Sequence, residues 1–145
     1  AEKFQSLQVG TSVIDQGESG IKSELLRKLH EACRSSDLET VRGCLMQGAP
    51  VDGRDEHGWA ALHYSAAAGS VEVCQLLLSF HADANAVLPD LSTPLMLAAE
   101  EAHLPVAKLL LASGALSKCK DEDGFTAAVR CDGSVQAEFK QLVSS

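Results

Sequence analysis

Hydrophobic and polar positions follow a fixed beat along this chain. From Asp55 to Ala86 a polar turn cluster, Asp55-Glu56-His57-Gly58, precedes a small-residue-rich, helix-favouring run from Ala60 to Ala68. Gly69 breaks that run, and Val71, Val73, Cys74, Leu77 and Leu78 mark the apolar stripe of a second helix. Neither helix can bury its apolar face alone, so each pair needs a neighbour of the same shape. A shift of 33 residues supplies the neighbours. It brings Leu29, Leu62 and Leu95 into register, then Ala32, Ser65 and Ala98. It also aligns Leu38, Val71 and Leu104, then Leu45, Leu78 and Leu111, then Ala49, Ala82 and Ala115.

Within this register, Gly58-Trp59-Ala60-Ala61-Leu62-His63 is followed by Ala66, Gly69 and Leu76-Leu77-Leu78. Together with Thr93-Pro94-Leu95 and Ala98-Ala99, these segments resemble the ankyrin repeat. The resemblance implies an all-α solenoid of stacked helix-turn-helix units with β-hairpin fingers, binding partners on the concave face of fingers and inner helices. Repeats are expected at residues 23–54, 55–87 and 88–120, with a shortened C-terminal capping repeat at 121–145. Residues 1–22 match nothing in the repeat. Their glycines and scattered polar residues suggest a flexible or extended lead-in, although Phe4, Leu7, Val9, Val13, Ile14 and Ile21 leave open that part of it lies across the first repeat or is the end of a neighbouring domain.

Three positions break the pattern in the third repeat and just upstream of it. Leu91 stands where Gly58 and Gly124 do, Ala102 where Gly69 does, and His81 where Gly48 and Gly114 do. A left-handed non-glycine residue costs roughly 1–2 kcal/mol, so each site should be strained or locally reshaped. The fourth repeat is shorter by two residues between its glycines. Asp132-Gly133 is expected to close a stunted first helix there, with Val135, Phe139, Leu142 and Val143 as the stripe of the last.

Charge narrows the choice of partner. Twelve Lys and Arg against 20 Asp and Glu give a formal net charge of −8. That disfavours nucleic acid and anionic membranes and permits a basic partner. No stretch approaches the roughly 20 apolar residues of a membrane span, and no basic region leads into an apolar run at the N-terminus, so neither membrane insertion nor secretion is expected. The five cysteines include no C-x-x-C pair, and the register puts Cys33, Cys44 and Cys74 at apolar positions. They read as reduced core residues of an intracellular protein, cytoplasmic or nuclear, with Cys119 at a finger as the most reactive.

No catalytic constellation, cofactor motif or metal-ligand set emerges, so an enzyme is the least favoured reading. His30 and His63 share a register position, at which the resemblance implies a histidine bonded to backbone beside the finger; His103 follows a turn. Asp121-Glu122-Asp123-Gly124 lacks the bidentate acid of a calcium loop. The resemblance places the exposed concave positions on finger tips and inner-helix ends, which include Arg34 and Arg54 at the N-terminal end. The expected ligand-binding set is Glu56, His57, Trp59, Asp90, Glu100, Glu101, Glu122, Asp123 and Phe125. Trp59 and Phe125 would anchor apolar groups while the acids pair with Lys or Arg. The expected function is therefore a non-enzymatic protein–protein interaction module, acting as a monomer on a basic peptide or protein surface; the resemblance admits a histone tail.

Two alternatives stand beside this reading. The array could serve as a rigid structural spacer or scaffold within a larger protein, with Trp59 packed flat on the neighbouring finger. Separately, the spacing of Leu77, Asp83 and Asn85 resembles the target pattern of the asparaginyl hydroxylase that acts on ankyrin repeats, which makes Asn85 a candidate modification site. Otherwise Asn85 simply ties down its turn through side-chain hydrogen bonds.

Overall fold

The computed structural model describes residues 23–144, so the lead-in expected at residues 1–22 lies outside the described residues. Among the described residues there are eight helices and no strand. They form four antiparallel pairs: α1 (23–35) with α2 (Leu38–Met46), and α3 (Ala61–Ala68) with α4 (Val71–Ser79). The third pair is α5 (Pro94–Glu100) with α6 (Leu104–Ala112), and the fourth is α7 (Ala127–Arg130) with α8 (Gln136–Ser144). Inner helices stack on inner helices, α3 on α5 and α5 on α7, while α2, α4, α6 and α8 form the outer row.

The core is the register made solid. Leu29, Leu62 and Leu95 are buried in the inner row, and Cys44, Leu77 and Leu110 fill one continuous position of the outer row. Ala32, Ser65 and Ala98 are buried between them; their small side chains let the helices approach closely. The outer stripe is narrower than the sequence pattern suggested. Val71 and Leu78 are only half-buried, because they sit at the edges of the face that α4 turns inward. Phe139 closes the C-terminal end with its ring fully buried. Cys33, Cys44, Cys74 and Cys131 are buried free thiols, and Cys119 is half-buried. Burial pushes the Cys33 thiol up to about 12 and that of Cys74 up to about 11.

Left-handed backbone recurs at three positions per repeat. The turns between inner and outer helices carry Ser36, Gly69 and Ala102, with φ of 60°, 79° and 63°. The exits from the outer helices carry Gly48, His81 and Gly114, and the fingers carry Gly58, Leu91 and Gly124. Leu91 and Ala102 in the third repeat, and His81 just upstream of it, thus keep the backbone path without glycine and accept strain where a reshaped loop was the alternative. Ser36 is a fourth such residue, in the first repeat. Gly133 does not belong to this series: α7 stops at Cys131, which is already extended at φ −61°.

The fingers are not the β-hairpins expected from the sequence. Each is a tight turn closed by one bond pair: Asp55 N–H to Trp59 O, Leu88 N–H to Ser92 O, and Asp121 N–H to Phe125 O, at 3.0, 2.9 and 2.9 Å. A second bond in each turn comes from residue 58, 91 or 124. Lateral links then join successive repeats where a ladder would have run. Glu122 N–H donates to Asp90 O at 2.8 Å, and Asp83 N–H to the Asp52 carboxylate at 2.9 Å.

Candidate binding site between fingers and inner helices

Helix ends and fingers meet around a hollow of about 500 Å³ between the second and third repeats. Its apolar part is Trp59, Ala67, Leu88, Pro89 and Leu97, and its polar rim is His57, Asp90, Ser92, Glu100, Glu101 and Arg130. Register explains why the hollow exists. Position 92 carries serine where the flanking fingers carry Trp59 and Phe125, so a large ring is missing from the middle of the row.

Trp59 is half-buried and leans back on its own repeat. Its ring centroid lies 5.0 Å from that of Tyr64 and 6.1 Å from that of His63. The Tyr64 hydroxyl in turn donates to the Asp55 carboxylate, whose other oxygen accepts from the backbone N–H groups of His57 and Trp59. Burial by itself would raise Asp55, but these hydrogen bonds outweigh it and hold its carboxyl below the usual range.

The ring of His63 ties the finger to the helix beneath it. Ala60 has no side chain to cap α3, so its N–H donates to His63 Nδ1 at 3.0 Å, while Nε2–H donates to Ala86 O at 3.0 Å. Both nitrogens are used by the neutral ring, and burial pushes its pKa down to about 4. His30 repeats the contact one unit earlier, donating to Gly53 O, and His103 donates to Ala67 O. These three histidines serve the scaffold.

Five of the nine expected binding residues line the hollow together: His57, Trp59, Asp90, Glu100 and Glu101. Glu56 lies on the far side of the first finger, where it and His57 border a second hollow of about 420 Å³ with Tyr64, His30 and Arg34. The Arg34 guanidinium sits 6.0 Å from the Tyr64 ring centre. Glu122, Asp123 and Phe125 stand exposed on the last finger and do not line either hollow. Arg54 is occupied: it donates to Gly58 O and Val87 O and bridges the first two fingers.

Asn85 uses both ends of its amide inside the fold. Nδ2 donates to Gly114 O at 3.1 Å, and Oδ1 accepts from Leu116 N–H at 2.8 Å. Asp52, one repeat earlier, makes the matching acceptor bond to Asp83 N–H.

Arg130 is the residue that sequence reading missed. It ends the stunted α7, and its guanidinium enters the hollow. Nη2 pairs with Glu100 Oε2 at 2.7 Å, and Nη1 reaches Ser92 Oγ at 2.6 Å and Asp121 Oδ2 at 3.4 Å. A signal was available: Arg130 follows Asp121 by nine residues, as Tyr64 follows Asp55, and in both repeats the helix side chain holds the finger carboxylate. Hydrogen bonding from Ser92 holds Asp90 below the usual carboxylate range, with Arg130 acting in the same direction.

The sequence matches the family of ankyrin repeats, in three copies, over residues 29–123. The chain belongs to the ankyrin-repeat family. Ankyrin repeats are in general protein–protein interaction modules and typically not enzymes. The chain is 33% identical over 129 residues to the human transient receptor potential cation channel subfamily A member 1, covering 87% of the chain and 11% of that protein. It is 38% identical over 69 residues to the human protein phosphatase 1 regulatory subunit 27, covering 48% of the chain and 45% of the relative. The ARF GTPase-activating protein Git of Drosophila melanogaster shares 37% identity over 97 residues, 66% of the chain and 13% of that protein. The chain thus spans less than half the length of each of these relatives. Among the described residues, no helix is long and apolar enough to cross a membrane.

Proposed function

We propose that this ankyrin array is a non-enzymatic binding module that takes a basic side chain, presented by a peptide or a protein surface, into the hollow beside Trp59. The observation that carries the reading is the seat itself: an aromatic wall and apolar floor beneath Glu100 and Glu101, in which the chain already places a guanidinium of its own. A Lys or Arg stem can lie on the indole while its head meets a carboxylate, which combines cation–π contact with ion pairing. The net charge of −8 adds long-range attraction for such a partner.

Binding energy concentrates in aromatic and charge-paired anchors, so Trp59→Ala should weaken a basic peptide by about 2 kcal/mol, roughly thirtyfold. The double change Glu100→Lys with Glu101→Lys should slow association, flatten its salt dependence and weaken the complex about tenfold or more. Calorimetry and stopped-flow binding on the full chain, with thermal melts of each variant, test both statements. Folded variants that bind basic peptides at full strength would remove the hollow from the function and favour the rigid-spacer alternative.

A further inference from the structure

We propose that the hollow selects one cationic side chain set among apolar neighbours, not a lysine-rich run, and that Arg130 imposes this limit by holding the place a second cation would take. The inference rests on the binding reading above and names the partner more narrowly.

The carboxylates around the hollow are already divided up. Glu100 is paired with Arg130 Nη2, and Asp121 faces Nη1. Asp90 Oδ1 accepts from Ser92 N–H at 3.0 Å. Glu101 is exposed and makes no ion pair among the described residues. Asp90 has no ion pair among the described residues, but Ser92 and the charge of Arg130 already act on it. Glu101 is therefore the one carboxylate of the hollow that neither Arg130 nor Ser92 engages, and it is left to receive an incoming ammonium above a floor that is apolar through Ala67, Leu88 and Leu97. A second cation in the same hollow would meet the Arg130 guanidinium at short range, where like charges repel.

Arg130 cannot yield that place cheaply. Its side chain is 16% exposed, against 8% for that of Asp121, and Ser92 is fully buried. Swinging it into solvent would leave Asp121 and the Ser92 hydroxyl without this partner in a desolvated setting, and such groups are expensive to leave unpaired. The arginine is a fixed wall of the site, and the ligand has to fit beside it. The rest of the partner's contact area must then come from apolar residues seated on Trp59, Leu97 and Pro89.

The test uses the full chain and an array of peptides built from Leu, Ala and Ser that carry no lysine, one lysine, an adjacent pair or a run. Quenching of Trp59, the chain's one tryptophan, reads binding at physiological ionic strength. Single-lysine peptides should bind, and a second adjacent lysine should tighten wild-type binding by no more than about twofold. Glu101→Gln should weaken single-lysine binding about tenfold or more, whereas Glu100→Gln should do so by less than about threefold. In Arg130→Gln the lysine pair should gain about tenfold over the single lysine. If Arg130→Gln does not melt cooperatively, the contrast between the two exposed glutamates decides alone. Equal losses at Glu100 and Glu101, or a wild type that prefers the lysine run by about tenfold, would overturn the inference while leaving the binding reading intact. Absence of any lysine-dependent binding would overturn both.

Discussion

The fingers at Asp55–Trp59 and Leu88–Ser92 trace one backbone path with different chemistry. In the first, Asp55 gathers two backbone N–H groups and the Tyr64 hydroxyl, Gly58 takes the left-handed step, and Trp59 fills the row. In the second, Leu88 and Leu97 stand at the register positions of the Asp–Tyr pair, Leu91 takes the same step at φ 68° with 48% of its surface exposed, and Ser92 leaves the row unfilled. The cap of the helix changes hands as well. Ala60 N–H donates to the His63 ring in the second repeat, while Thr93 Oγ1 accepts from Met96 N–H in the third. Stacking fixes the backbone through the shared core, so the chemistry of each unit is free to differ, and the hollow lies where it does.

The turn between helices offers the sharpest way to break the equivalence of the two repeats. A Cβ on Gly69 would lie 2.6 Å from the His103 ring, at a φ of +79°. Left-handed alanine and an overpacked contact together should make Gly69→Ala destabilising by about 3 kcal/mol in urea unfolding. One repeat earlier the place of His103 is held by Ser70, a smaller side chain, which fits the tolerance of Ser36 at the same turn. A loss under about 1 kcal/mol would mean that the His103 ring moves aside and that the turn is not locked.

Acid should separate the repeats along the array. His63 is neutral and buried, with a folded pKa of about 4 below the ordinary value of 6.5. The unfolded chain therefore binds the proton more readily, so this contribution is fully intact above pH ~6.5 and is lost as pH falls towards 4. The loss amounts to about 3 kcal/mol as an order of magnitude, and His30, also lowered by burial, acts in the same direction. Positions 96 and 129 in the same register are Met and Val, so the C-terminal half lacks this group. Amide exchange between pH 7 and 4.5 should show protection falling first in α1 to α4. A uniform loss along the array would instead assign acid sensitivity to the stacking as a whole.

How much of this was legible in the sequence follows from what repeats and what does not. Leu29, Leu62 and Leu95 recur, so helix pairs, core and left-handed positions could be read from period alone. His57, Trp59, Asp90, Glu100 and Glu101 could be placed on one strip because the register fixes their neighbours. Arg130 could not be read as freely: its side-chain direction depends on where a four-residue helix stops, and that is set by a two-residue deletion with no counterpart elsewhere in the chain. The β-hairpin fingers came from the family resemblance, and periodicity carries no information on whether one closing bond or a ladder forms in them. Glu122, Asp123 and Phe125 were grouped with the site by register, yet among the described residues no further finger stands beside theirs to enclose a hollow.

The smallest effect tests the same turn from the other side. Ala102 holds φ 63° at the position of Gly69, and its N–H donates to Ala99 O at 3.1 Å, so the turn is made but by a residue with a Cβ. Replacing it with glycine removes a left-handed penalty of roughly 1–2 kcal/mol. The added freedom of the unfolded chain offsets about 0.4–1 kcal/mol of that gain. Ala102→Gly should therefore raise stability by about 1 kcal/mol, read as a higher melting temperature with an unchanged denaturant slope. Gly69→Ala and Ala102→Gly thus exchange the same two residues at one register position with opposite signs. If Ala102→Gly is neutral or destabilising, the Cβ of Ala102 makes contacts that outweigh its backbone strain, and the third repeat has been tuned to its alanine.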